Sequence, residues 1–193
     1  MSVISSFLAV LCSAVLLSLG IPNEYLHFGA ALFGIVALIP LYTAFCCGLT
    51  RRRTAWMFGA LIALVHLFSS FWLAYFENFA IFTLGASTAA YLFLGFLFGH
   101  WFYYAMKLPL RLRPFAFACL WTLWEWFKGS GFVAYPWGSL SMTTLSLRPL
   151  IQIADITGVW GITFLVALVA ALLAETIRAA AGLTAGFSTP HGR

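Results

Sequence analysis

Charge is what this sequence has least of. Of its 193 residues, 8% are Asp, Glu, Lys or Arg, where a globular domain carries about 25%. Five acidic and ten basic side chains cannot coat a domain of this length, so much of the surface must face something other than water. Disorder fails on the same numbers. The net charge of +5 does not mark a nucleic-acid partner, because the cations sit in short loops between apolar runs. Cysteine is scarce as well: Cys12, Cys46, Cys47 and Cys119 fall inside apolar stretches, without the spacing of a zinc site or a disulfide framework. That excludes a disulfide-rich secreted scaffold and reads the four as inert small hydrophobes. The run Val3–Gly20 lacks a basic segment before it, and Leu11 precedes Cys12 where a lipoprotein signal wants a small residue. It therefore reads as a retained first helix rather than a signal peptide. What the sequence does have is apolar residues, 63% of the chain against about 45–50% in globular domains. The composition describes an all-α, polytopic integral membrane protein.

A spanning helix needs about 20 mostly apolar residues. Punctuation by charge, Pro and Gly leaves six candidate spans: Val3–Ile21, Phe28–Cys47, Ala55–Phe76, Ala86–Met106, Pro114–Phe127 with an extension to Val133, and Ile156–Ile177. Residues 1–178 then form one transmembrane helical domain. Residues 179–193, turning to Gly, Ser, Thr and Pro, form a flexible C-terminal tail. Loops after the second, fourth and sixth spans hold Arg51, Arg52, Arg53, Lys107, Arg111, Arg113, Arg178 and Arg193, whereas the others hold only Lys128 and Arg148. The positive-inside bias places both termini in the cytoplasm and the Lys128–Asp155 segment outside. Gly95 with Gly99, Ala167 with Ala171, and Ala170 with Ala174 are small-xxx-small pairs, read as intramolecular helix packing rather than dimerisation.

Ionisable residues inside a bilayer need a reason. His66 and His100 have no His, Cys or carboxylate one turn away, so no metal site is expected and each reads as a neutral imidazole bonded to a neighbouring helix or near the interface. Glu24 and Glu77 fall at outer helix ends, where water is close. Asp155 precedes the sixth span and reads as its N-terminal cap. Glu125 stands in Trp121-Thr122-Leu123-Trp124-Glu125-Trp126-Phe127-Lys128, and two readings fit it equally. One is an interfacial pair with Lys128, three residues on, in an aromatic belt. The other is a carboxylate at the mouth of a lipid-facing cavity. The following segment, Gly129 to Gly138, has too many glycines and a proline to be regular helix. Irregular backbone at membrane depth survives only against protein or a wet cavity. This loop beside Glu125 is the leading candidate for a functional surface.

At these residues the chain resembles the N-terminal membrane part of the bacterial apolipoprotein N-acyltransferases. The resemblance rests on Trp121, Glu125 and Lys128, on Pro136-Trp137 in the loop, and on Pro149, Gln152, Ala154, Gly158, Gly161, Thr163, Phe164 and Leu165. Phe71-Trp72 and the order of helices fit as well, and the likeness runs to about Arg178. It departs at Lys128, where the family more often has Arg, which alone forms bidentate pairs, and at Ala134-Tyr135 before Pro136.

The resemblance implies transfer of an acyl chain from a phospholipid donor to the α-amino group of a diacylglyceryl-cysteine lipoprotein, at the bacterial inner membrane and without a cofactor. Catalysis in that family belongs to a carbon–nitrogen-hydrolase-type domain with a Glu-Lys-Cys triad, so no catalytic residue is assigned to this chain. The expected substrate-binding residues are Trp124, Glu125, Lys128, Pro136 and Trp137. The chain then reads as a truncated enzyme or one half of a split enzyme that works with a separate hydrolase-domain chain. Competing readings are an inactive lipid- or lipoprotein-binding relative and, less well supported, a small transporter.

Overall fold

The computed structural model describes residues 2–23, 26–75, 80–131 and 134–183. They hold seven α-helices, six of them long. Helix α1, Val3–Gly20, starts where the Ser2 hydroxyl accepts the Ser5 N–H at 3.1 Å. Helix α2, Ala31–Phe45, contains Pro40. Beside that proline the Leu41 N–H donates to the buried Ser13 hydroxyl of α1 at 3.1 Å. A side-chain hydroxyl thus takes up a backbone donor next to a helix interruption, as membrane bundles require. Helix α3, Arg51–Ser69, is capped by Thr50 and passes into a 3-10 turn at Phe71–Tyr75. Helix α4 covers Ala80–Ala105 and α5 Arg113–Gly129, with Pro114 in the first turn, where its missing N–H has no cost. A 3-10 turn at Leu140–Thr144 and the short α6, Arg148–Ile151, lead to α7, Ala154–Ala180.

The long helices pack as a curved row: α4 on α3, α3 on α1, α1 on α2, α2 on α7, and α7 on α5. The seam between the two ends of the row, α4 and α5, is far thinner than the others. Small residues set the closest approach. A Cβ at Gly95 would lie 2.9 Å from Gly59 Cα, and one at Gly99 would lie 2.8 Å from Ala55 Cα, so this pair serves the α3–α4 contact inside the molecule. Ala167, Ala170, Ala171 and Ala174 are all fully buried on α7. Between the helices runs an aromatic column. Phe58 meets Phe102 at 4.5 Å and Trp121 and Trp124 edge-on at 5.8 and 5.6 Å, while Phe117 meets Tyr42 at 5.0 Å.

Among the described residues, three helical stretches are long and apolar enough to cross a membrane: Val3–Gly20, Phe82–Ala105 and Ala154–Ala180. The other three expected spans also fall on helices, but each is shorter or more polar. Fifteen residues of α2 rise about 22 Å, short of a hydrocarbon core of about 30 Å. Helix α3 opens on Arg51-Arg52-Arg53, and α5 ends on Glu125 and Lys128. Apolar side chains nonetheless cover much of the outside, among them Phe7, Phe93, Trp101, Leu172 and Ile177. The chain is all-helical and of membrane type.

Several boundaries move. Helix α5 stops at Gly129 rather than reaching Val133, since Ser130 is extended and Gly131 has φ +87°. Helix α7 runs to Ala180, past the expected domain end at Arg178, and bends at Gly158, where φ is +66°. Asp155 lies in its first turn and is not its cap; Ile153 holds that position, with no side-chain hydrogen bond. Glu24, Glu77 and the tail beyond residue 183 lie outside the described residues.

Candidate functional site: a buried carboxylate, a loop latch and two apolar cavities

Glu125 is 2% exposed, so its carboxylate is enclosed by protein rather than solvated at the surface. Three donors from three parts of the chain converge on it. The Trp121 indole N–H reaches Oε1 at 3.1 Å, the Leu140 N–H reaches Oε1 at 2.6 Å, and the Thr163 hydroxyl reaches Oε2 at 2.8 Å. Helix α5 is thereby tied to the loop and to α7. Trp121 and Trp124 are 1% exposed and face the core, while Trp126 and Phe127 are half-exposed. The aromatic-rich helix end therefore divides into an inner and an outer face.

Lys128 makes no direct ion pair with Glu125, although both line one small void and their charges attract. Its Nζ donates to the Trp137 carbonyl at 3.1 Å. Helical spacing places two residues near each other, but the loop carbonyl captures the ammonium. Trp137 in turn donates its indole N–H to the Ser69 carbonyl at 2.8 Å, and the Tyr135 hydroxyl donates to Ser70 Oγ at 3.0 Å. These bonds latch the irregular loop to the end of α3. Pro136 contributes its carbonyl, which accepts the Ser139 hydroxyl. Deeper in, the loop is seated against α2: a Cβ at Gly34 would overlap the Thr143 side chain.

Around this latch lie three spaces. A small void of about 20 Å³ brings Glu125, Lys128, His66 and Ser69 together among apolar side chains such as Leu17, Ile62 and Trp124, room for about one water molecule. On one side, along the thin α4–α5 seam, a cavity of about 860 Å³ is lined by Tyr91, Leu94, Trp124, Trp126, Phe127 and Lys128. On the other side, a cavity of about 660 Å³ lies between the ends of α1 and α3, lined by Ser18, Ile21, Phe68, Phe71, Trp72 and Trp137. Of the five expected site residues, Trp124 and Lys128 thus line the first cavity and Trp137 the second. Glu125 lines the small void, and Pro136 stays in the latch.

His66 bonds Ser87 of α4 at 2.8 Å through Nε2 and also lines the first cavity. His100 bonds the Phe96 carbonyl of its own helix at 2.9 Å through Nδ1. The sequence reading missed Ser69 and Ser70, which anchor the latch, and gave Leu140 no role. Thr163 was visible only as part of the resembling pattern. Cys46 fits the expectation of a buried small hydrophobe. Its thiol lies 3.8 Å from a carboxylate oxygen of Glu175.

Comparison with known proteins decides the family. The family model described as the apolipoprotein N-acyltransferase N-terminal domain matches residues 13–172. The chain belongs to this family. It is 51% identical over 174 residues to Apolipoprotein N-acyltransferase 2 of Treponema denticola, covering 90% of this chain and 33% of that protein. It is 50% identical over 165 residues to Apolipoprotein N-acyltransferase 2 of Treponema pallidum, covering 86% and 30%. The Borreliella burgdorferi Apolipoprotein N-acyltransferase matches at 30% over 154 residues, covering 80% and 29%. The chain thus spans about a third of the length of these N-acyltransferases. The Glu125 carboxylate with its three donors, the latch and both cavities fall in the matched segment.

Proposed function

We propose that this chain is the membrane part of an apolipoprotein N-acyltransferase and that its share of the reaction is to seat acyl chains beside Lys128. The complete reaction has two steps. A cysteine thiolate attacks the ester carbonyl of a phospholipid, forming a thioester and releasing a lysophospholipid. The free α-amino group of a diacylglyceryl-cysteine lipoprotein then attacks the thioester, forming an amide and returning the thiol. The nucleophile belongs to a hydrolase-type domain, on the same polypeptide or on a separate chain, and no cofactor takes part. Six spans, cytoplasmic termini and an outward-facing Lys128–Asp155 segment in the inner membrane complete the reading, supported by the distribution of Lys and Arg.

The observation that carries this reading is the 860 Å³ cavity. Its size suits a small-molecule or single-chain ligand, its walls are apolar and aromatic, and Lys128 stands at its polar edge next to the loop. It lies along the thin α4–α5 seam, where a lipid can enter sideways from the bilayer. Glu125 supports the site without lining the cavity, by holding α5, α7 and the loop in register.

The test is co-expression with a hydrolase-domain chain in cells depleted of their own N-acyltransferase, with triacylated lipoprotein read by mass spectrometry. The expected result is triacylated product that is lost when Leu94→Trp fills the cavity. No gain of product with the wild-type chain, or full product with Leu94→Trp, contradicts the proposal.

A further inference from the structure

The three spaces around the latch lie on one boundary. Helices α3 and α4 form a hairpin zipped by small residues, where a Cβ at Gly95 or Gly99 would come within 2.9 or 2.8 Å of a Cα on α3. The His66–Ser87 bond joins the same two helices nearer the Phe71–Tyr75 end. Helices α1, α2, α5 and α7 make up the rest of the row. Each space has the hairpin on one side and the rest on the other. The first cavity lies between Tyr91 and Leu94 on the hairpin and Trp124 and Phe127 on α5. The second lies between Phe68 and Phe71 on the hairpin and Ile21 and Pro22 after α1. The small void lies between Ile62 and Val65 of α3 and Leu17 and Trp121 of α1 and α5.

The chain tethers the hairpin at one end. It enters α3 from α2 through residues 46–50 and leaves α4 for α5 through residues 106–112, so both connections to the rest lie at the Arg51 and Ala105 end. There Arg53 donates to the Ser6 hydroxyl of α1 at 2.8 Å. Next to it, Phe58 and Phe102 are fully buried against Trp121 and Phe117. At the other end, around Phe71–Tyr75, the chain joins α3 to α4 and to nothing else. There the latch crosses the boundary, with Trp137 donating to the Ser69 carbonyl at 2.8 Å and Tyr135 to Ser70 Oγ at 3.0 Å. The latch itself is fixed to the rest of the molecule. The Tyr135 N–H donates to the Lys128 carbonyl at 3.0 Å, Lys128 holds the Trp137 carbonyl, and Leu140 is bound to Glu125.

We propose that the α3–α4 hairpin swings as one body about its tethered end, and that the Tyr135–Trp137 latch is the clasp that holds its other end shut. Lipid tails are as apolar as the walls they would replace, so parting two helix groups in a bilayer carries no hydrophobic penalty. The boundary near the clasp already holds spaces of about 860 and 660 Å³, so little packing is lost there when it opens. Two hydrogen bonds then weigh heavily, each worth about a three-fold change in an equilibrium within a membrane bundle. Opening widens the α4–α5 seam and merges the three spaces into one cleft. The motion does not depend on what fills the cleft, and it gives a lipid seated beside Lys128 a way in and out.

The test measures spin-label distances in the full chain in lipid nanodiscs, with Cys12, Cys46, Cys47 and Cys119 replaced by alanine. Three pairs at exposed positions separate the possible motions. Ala86→Cys with Leu123→Cys spans the boundary near the clasp, Leu67→Cys with Ala86→Cys lies within the hairpin, and Trp101→Cys with Phe115→Cys spans the boundary near the tether. Tyr135→Phe and Trp137→Phe each remove one clasp bond and keep the ring system or its bulk. The ratio of long to short Ala86–Leu123 distances should rise about three-fold with either change and about eight-fold with both. The other two pairs should each keep a single distance throughout, which also shows that the variants are folded. The proposal is overturned if the Ala86–Leu123 distance is unaltered by the double change. It is also overturned if the Leu67–Ala86 distance lengthens with it, since α4 would then leave α3. Equal lengthening of Trp101–Phe115 overturns it too, because the hairpin would detach rather than swing.

Discussion

Two carboxylates at opposite ends of the bundle, Glu125 buried and Glu175 partly buried, show how one residue type serves two purposes. Glu125 accepts from an indole, a backbone amide and a hydroxyl, drawn from α5, the loop and α7. Glu175 instead accepts from the Tyr42 hydroxyl at 2.8 Å and pairs with Arg178, one turn along its own helix, at 3.2 Å. The first end is surrounded by open space, with cavities of about 860 and 660 Å³ on either side of the latch. At the other end, the space beside Cys46 and Arg113 is only about 20 Å³. Glu125 braces an irregular loop over volume that a ligand can occupy. Glu175 closes a packed helix junction. Each carboxylate has a cation three residues along its own helix, Lys128 for Glu125 and Arg178 for Glu175, but only Arg178 makes a direct ion pair, and the Glu125 arrangement fails if any of three segments moves.

Substitutions can break this contrast. The largest effect expected is on activity: Leu94→Trp should lower triacylated product at least about ten-fold with a much smaller effect on thermal unfolding in detergent, because Leu94 is only partly buried and the larger ring extends into the cavity. Glu125→Ala should come next, destabilising the protein by about 2–4 kcal/mol, since three donors lose their acceptor in a buried setting. Unfolding in denaturant or by heat measures it, and protease cleavage in the 129–147 loop should increase in parallel. Gly34→Val should cost about 1–3 kcal/mol by overpacking against Thr143, with the same increase in loop cleavage. Glu175→Gln should cost about 1 kcal/mol, as hydrogen bonds within membrane bundles average about 0.6 kcal/mol, and should leave product yield unchanged. Equal loss of product from Glu175→Gln and Leu94→Trp would erase the distinction between the two ends.

Much of the helical order was legible in the sequence because hydrophobic runs and their punctuation act locally. All six expected spans fall on helices, and the Gly95–Gly99 pair meets α3 as small residues at that spacing should. Trp121, Trp124, Glu125 and Lys128 meet Trp137 around one small void, as neighbours the motifs brought together. The wiring around it was another matter. Leu140 and Thr163 reach Glu125 from 15 and 38 residues away, and no periodicity announces a contact set by tertiary folding. Lys128, three residues on, does act on Glu125 through its charge, but its hydrogen bond goes to a loop carbonyl nine residues on. Glu175 carried no motif at all, and its bond to Tyr42 spans 133 residues. Asp155 missed the cap position because the chain enters α7 two residues earlier than its apolar run suggests.

The most direct test of the central claim is photolabelling of the first cavity by a phospholipid with a chain-terminal diazirine, in wild-type protein and in Leu94→Trp. An account in which this membrane domain seats acyl chains beside Lys128 predicts strong labelling at Tyr91–Leu94, well above that on the exposed face of α7, and its loss in the variant. Labelling at Tyr91–Leu94 no stronger than on α7, or unchanged by Leu94→Trp, would contradict it.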